Sequence, residues 1–191
     1  MPRYPADVKL IEAASAEFER VVRELPRDAW DRPTPSDMTV RELVEHVVVG
    51  NRLTTLLLAG VSREEARTLI AGDQLGADPV GAVVESSRLQ AERFEIAPGD
   101  QPVPSPQGNV PAEAYRRFRL VDLVVHAWDL LHAARLDETL DPPLVIAVAD
   151  LVAPPLDSML AFGAYGDGPS GQLPADASAQ TRLLDWFGRR P

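Results

Sequence analysis

Three residues of this chain have the chemistry to hold a divalent ion together: His46, Asp122 and His126. Asp122 and His126 stand four apart, so on a helix they sit one turn apart on the same face. A buried carboxylate needs a partner, or its pKa rises until it is neutral. One turn from an imidazole it has two natural resolutions. One is a hydrogen-bonded pair within the core, with His46 bonding a carbonyl elsewhere. The other is shared ligation of a metal, as in helical zinc motifs. The chain has only three histidines, and two of them, His46 and His126, fall in its most apolar helical segments. Two imidazoles and a carboxylate suit zinc first, then nickel, with iron(II) and manganese(II) also compatible. Three protein ligands leave positions open for water or substrate, as in a catalytic rather than a closed structural site.

Other residues are weaker candidates. Asp129 lies one turn beyond His126 and is placed to orient a ligand imidazole from behind. His132, near the end of the same helix, suits the negative end of the helix dipole. Trp128 reads as packing. Arg119 lies off the ligand arc, either within reach of an anionic substrate or held by a partner. Asn51 and Arg52 are candidates for the mouth of the site. No nucleophile motif is present. The Gly-Asp-Gly at 166–168 lacks the lysine and the strand–helix setting of a phosphate loop.

The elements that must position these residues are helices. Apolar residues recur at helical spacing, and Pro/Gly clusters divide the chain. The first helix is expected from about Ala6 to Leu25, with Val8, Ile11, Phe18, Val21 and Val22 along one side and Pro26 ending it. The second has a capping box, Thr39 with Glu42, and a hydrophobic staple, Met38 with Leu43. It should run to about Ala59, where Gly60 stops it. His46 lies in its apolar arc with Leu43, Val47, Gly50 and Leu57, and Gly50 leaves room on that face. Ser62 and Glu65 read as another capping box, opening a short helix. Asp78-Pro79 reads as an N-cap with proline at the first helical position, starting a helix to about Phe94.

The segment 97–111 holds five prolines and two glycines and is expected to be a loop with at most one short extended piece. A long helix follows from about Pro111 to Ala134. Tyr115, Phe118, Asp122, His126, Asp129 and Ala133 share one arc of it, and Leu120, Val124, Ala127 and Leu131 the opposite one. This helix should therefore be buried, and if it neighbours the second helix, His46, Asp122 and His126 converge. Pro142 to Ala161 should be helical but kinked or split at Pro154-Pro155. Gly163 to Gly171 reads as a loop, and Thr181 to Phe187 as a last helical turn or two.

Bulk properties narrow the function. The 191 residues suffice for one domain with a full core, and no linker or repeat divides them. A net charge of −10 argues against nucleic acid and anionic membrane surfaces, and mainly serves solubility. With no cysteine, disulfides, thiolate catalysis and Cys-type zinc sites are excluded. No apolar signal core follows Met1, and no run reaches the ~18 apolar residues of a membrane span. These features fit a cytoplasmic protein. The alanine- and leucine-rich faces permit a homodimer.

Several motifs resemble a known family. Trp30-Asp-Arg-Pro-Thr-Pro followed by Thr39-Val-Arg-Glu-Leu-Val-Glu-His46 resembles the second-helix entry of the metal-binding domain of mycothiol-dependent maleylpyruvate isomerases. Asp122-Leu-Val-Val-His126-Ala-Trp-Asp129-Leu resembles the second half of that metal motif. The ending Pro174-Ala-Asp-Ala-Ser-Ala-Gln-Thr-Arg-Leu-Leu-Asp-Trp-Phe-Gly188-Arg-Arg-Pro is similar to the tail of an actinobacterial branch. The resemblance implies a DinB-like four-helix bundle, up-down-down-up, all-α with extra short helices. It implies a metal near one end, with His46, Asp122 and His126 as ligands, and mycothiol as the thiol. Three departures stand out. The family's carboxylate ligand is typically glutamate, one methylene longer than Asp122. Its Cys-Pro-Gly-Trp loop reads Ser36-Asp37-Met38 here. The isomerase's separate C-terminal domain, with an essential arginine, is not expected within this length.

Three functions compete on these grounds. The first is an enzyme in which the metal activates a small thiol toward an electrophilic small-molecule substrate. The second is a non-catalytic metal- or ligand-binding module. The third is a helical bundle with a vestigial site.

Overall fold

The computed structural model describes residues 6–106, 108–161 and 168–191, with side chains from Lys9 onward. The Met1 segment, the Val8 side chain and residues 163–167 of the expected glycine-rich loop lie outside the described residues.

Four long helices build the body: α1 (Ala6–Glu24), α2 (Val40–Leu58), α4 (Pro79–Ile96) and α5 (Ala112–Ala134). Short α3 (Arg63–Leu69) links α2 to α4, and α6 (Pro142–Val152), α7 (Leu156–Leu160) and α8 (Ala179–Trp186) follow α5. The long helices pack in a ring, α1 on α4, α4 on α2, α2 on α5 and α5 on α1. Among the described residues no helix is long and apolar enough to cross a membrane.

The helix boundaries follow local chemistry. Thr39 and Glu42 complete the reciprocal capping box at the start of α2. Ser62 accepts from the Glu65 N–H at the start of α3, which is half of such a box. Asp78 caps α4 with Pro79 in the first turn. Pro154-Pro155 separates α6 from α7.

The loop expected over 97–111 is more regular than the sequence suggested. Within that segment β1 (Pro102–Ser105) pairs antiparallel with β2 (Gly108–Pro111), with Val103 opposite Val110. A two-stranded ladder bonds through alternate residues only, so prolines at 102, 104 and 111 fall where no donor is needed. Val103 is buried, and the hairpin lies against α2 and α5.

The core is apolar. Ile11, Phe18 and Val21 of α1 and Leu43, Val44 and Val47 of α2 are fully buried, as are Leu120, Val124 and Ala127 of α5. Because α5 meets α1, α2 and α6, it is buried nearly all round. Its polar residues Arg119, Asp122, His126 and Asp129 are therefore carried into the interior, where each needs a partner.

Candidate metal centre

The three expected ligands converge at one end of the α2–α5 seam. Asp122 Oδ1 lies 3.5 Å from His46 Nε2 and 3.2 Å from His126 Nε2. The imidazoles meet edge to face, with ring centroids 5.3 Å apart. One ligand atom from each residue lies within 4.8 Å of the others. Bonds of ~2.0 Å around a tetrahedral ion put neighbouring donors ~3.3 Å apart. Both carboxylate–imidazole edges already match that spacing, and the imidazole–imidazole edge is the one left to close.

One sequence expectation is corrected here. His46 was placed in an apolar arc, and its neighbours Leu43, Val47 and Leu57 are buried. His46 itself is 45% exposed at the rim, whereas His126 is 10% and Asp122 18% exposed. The site thus has two inner donors and one at the solvent edge.

Behind each inner ligand stands a polar partner. Arg119 Nη1 donates to Asp122 Oδ2 at 2.5 Å. The same guanidinium donates to Gln90 Oε1 at 2.9 Å, Asn51 Oδ1 at 2.8 Å and the Val47 carbonyl at 3.3 Å. Asn51 in turn donates to the hydroxyls of Ser86 and Ser87. Gly50 makes this possible, since a Cβ there would meet Arg119 Nη1 at 2.4 Å. Arg119 is therefore a buried, partnered residue. Asn51 lies inside the bundle rather than at the site mouth, and Arg52 reaches Gln74 and Glu85.

On the other side, His126 Nδ1 lies 2.9 Å from Asp129 Oδ2. A carboxylate can only accept, so Nδ1 carries the proton and Nε2 faces Asp122 and the site. Asp129 is fully buried and held from two directions. Arg189 grips it with a two-pronged fork, Nε to Oδ1 at 3.0 Å and Nη2 to Oδ2 at 2.7 Å. Ser36 Oγ donates to Oδ2 at 2.7 Å. Sequence reasoning did not single out Arg189 or Ser36, because neither shares a helix with Asp129.

Burial is the largest influence on Asp122 and opposes its charge, but Arg119, His126 and His46 outweigh it and hold its carboxyl well below the usual range. For His126 burial again comes first and lowers the pKa. Asp122 and Asp129 override it and raise the pKa to about 9. Asp129 is held at about 2 despite burial, chiefly by His126 and Arg189.

A cleft of about 620 Å³ opens over the three ligands. Met38, Val49, Leu53, Tyr115 and Phe118 give it apolar walls, and Arg63 and Asp37 also line it. The two remaining candidates stand apart from it. His132 is exposed, bonds Glu138 at 2.8 Å and stacks on buried Trp128.

Comparison with known proteins follows the same lines. The family model described as the mycothiol maleylpyruvate isomerase N-terminal domain matches residues 11–131. Two uncharacterized proteins of Mycobacterium tuberculosis, Rv0738 of strain H37Rv and MT0763 of strain CDC 1551, are each 31% identical over 138 residues, 71% of either chain. Among solved structures, that of the mycothiol-dependent maleylpyruvate isomerase superposes with a TM-score of 0.53 at 17% identity, over 75% of this chain and 66% of that one. A histidine-to-alanine mutant of that enzyme gives 0.53 at 15%, over 65% and 59%. These likenesses establish the DinB-like helical fold, and this chain spans less than two thirds of either solved structure.

Proposed function

The chain belongs to the mycothiol maleylpyruvate isomerase N-terminal domain family, and from that premise we propose that it is a divalent-metal-binding, mycothiol-dependent transferase or isomerase acting on a small electrophile. In this reading residues 1–191 act as one domain, with His46, Asp122 and His126 as ligands of zinc or nickel. The observation that carries it is the convergence of three donor atoms within 4.8 Å beneath an open cleft.

The donor set fits the group. Arg119 occupies Oδ2 of Asp122 and leaves Oδ1 for the site. Asp129 fixes the His126 tautomer that offers Nε2. His46, at the rim, completes the set on the side from which a ligand enters. A divalent ion held there would lower the pKa of a thiol that meets it, supplying a thiolate near neutral pH. The chain has no cysteine, so the sulfur belongs to a co-substrate. The apolar walls of the cleft suit the body of the second substrate above the ligands.

The test is turnover by the untagged protein with mycothiol and a panel of electrophiles that includes maleylpyruvate. The reading expects turnover that needs the thiol, stops with chelator and returns with zinc or nickel. Turnover indifferent to chelator, or none from metal-loaded protein, contradicts it.

One observation favours a second reading, a helical bundle with a vestigial site. The network is internally satisfied: Asp122 is paired with Arg119, and His126 is protonated near neutrality between two carboxylates. Folding stability indifferent to chelator and to added zinc would point there.

A further inference from the structure

The family match ends at residue 131, yet the best-held part of the centre depends on residue 189. The route by which Arg189 arrives is specific. α8 packs on α6, with Leu183, Leu184 and Phe187 fully buried. It ends in a Schellman motif: the Gly188 N–H donates to Asp185 O at 3.1 Å and the Arg189 N–H to Leu184 O at 2.9 Å. Gly188 has φ +80°, a conformation few other residues accept, and this turn sends Arg189 back toward α5. Asp185 anchors the motif by accepting from the Ser170 N–H and from Arg190.

Arg189 then does more than neutralise a buried carboxylate. Its fork spans both oxygens of Asp129, while its Nη2 also donates to Ser36 Oγ at 3.0 Å. Three separate parts of the chain therefore meet on one carboxylate: the loop before α2, helix α5 and the segment after α8. A carboxylate gripped on both oxygens cannot rotate, and its only remaining task is to accept from His126 Nδ1.

We infer that Arg189 is a positioning residue of the metal centre, which locks Asp129 so that His126 presents Nε2 to the ion, and that the segment 168–191 completes the site from outside the matched family region. This rests on the metal reading above. Ser36 serves the same end beside Arg189, donating to the same oxygen of Asp129, at a loop position where the family pattern differs.

The experiment compares wild type, Arg189→Ala, Arg189→Lys and Arg88→Ala by two readouts. One is zinc affinity by competition with a chromophoric chelator. The other is the downfield proton resonance of the His126 Nδ1–H···Asp129 hydrogen bond in the metal-free protein. Arg189→Ala should weaken zinc about ten- to hundredfold, the usual cost of losing such support, and should lose the resonance. Arg189→Lys, a point charge that cannot form the fork, should fall between, and added guanidinium should restore part of the alanine variant's affinity. Arg88→Ala, at an exposed arginine of α4 paired with Glu92, should match wild type in both. A folded Arg189→Ala protein with wild-type affinity and an unchanged resonance overturns the proposal. If the wild type takes up no zinc, the metal reading falls separately and the resonance alone decides: its loss in Arg189→Ala supports the clamp, and its persistence overturns it.

Discussion

Arg119 holds one oxygen of Asp122 and leaves the other turned toward His46 and His126. The guanidinium sits inside the bundle with four acceptors and cannot follow the carboxylate elsewhere. In the proposed centre Asp122 would therefore ligate through a single oxygen, Oδ1. From α5 the Asp122 side chain spans the gap between Arg119 and the two imidazoles.

Replacing Asp122 with Asn removes the charge that answers Arg119. Breaking a buried pair from one side leaves an uncompensated ion, at a cost of roughly 3 kcal/mol. The variant should fold with a clearly lower urea midpoint and should lose metal binding. An unchanged midpoint would show that Arg119 is satisfied by Gln90, Asn51 and the Val47 carbonyl alone.

Gly50→Ala tests the same contact from α2. Alanine favours a helix over glycine by about 1 kcal/mol, so at a neutral position it would stabilise. Here its Cβ would stand 2.4 Å from Arg119 Nη1 and 2.8 Å from Cζ, and the guanidinium is tied down. Overpacking of this kind costs about 1–3 kcal/mol. Net destabilisation is expected in thermal or urea unfolding, and a more stable variant would refute the tight fit.

Much of this arrangement was legible in the sequence. The arc from Tyr115 to Ala133 fixed which α5 residues share a face, and the Thr39 capping box fixed where α2 begins and so where His46 falls. Gly50 was read as making room, but not for what: a buried arginine from another helix leaves no periodic trace. The exposure of His46 was missed because an apolar arc says which side faces the core, not where the core ends. Arg189 was out of reach for a similar reason. The Phe187-Gly188 helix stop was readable as a local signal, but the 60-residue return to Asp129 is a tertiary fact.

Protons should compete with the metal. Without metal, His126 has a pKa of about 9 against an ordinary 6.5, so its contribution to stability is complete below about pH 6.5 and is lost as the pH rises through about 9. Asp129, lowered from 3.8 to about 2, contributes above about pH 3.8, and that contribution is lost as the pH falls through about 2. Zinc needs neutral His126, so its binding at pH 7 should release about one proton from this residue, and affinity should rise about tenfold per pH unit toward pH 9. Calorimetry in buffers of different ionisation enthalpy counts that proton. Binding with no proton release would contradict the His126 assignment.

The central claim is that His46, Asp122 and His126 hold one ion, and elemental analysis of untagged protein tests it most directly. Wild type and the His46→Ala, His126→Ala and His132→Ala variants would be compared after purification and after reconstitution with zinc or nickel. The account predicts about one ion per chain in wild type and in His132→Ala, whose side chain pairs with Glu138 away from the site. It predicts loss in the other two. No ion in reconstituted wild type, or full retention in both His46→Ala and His126→Ala, would contradict it.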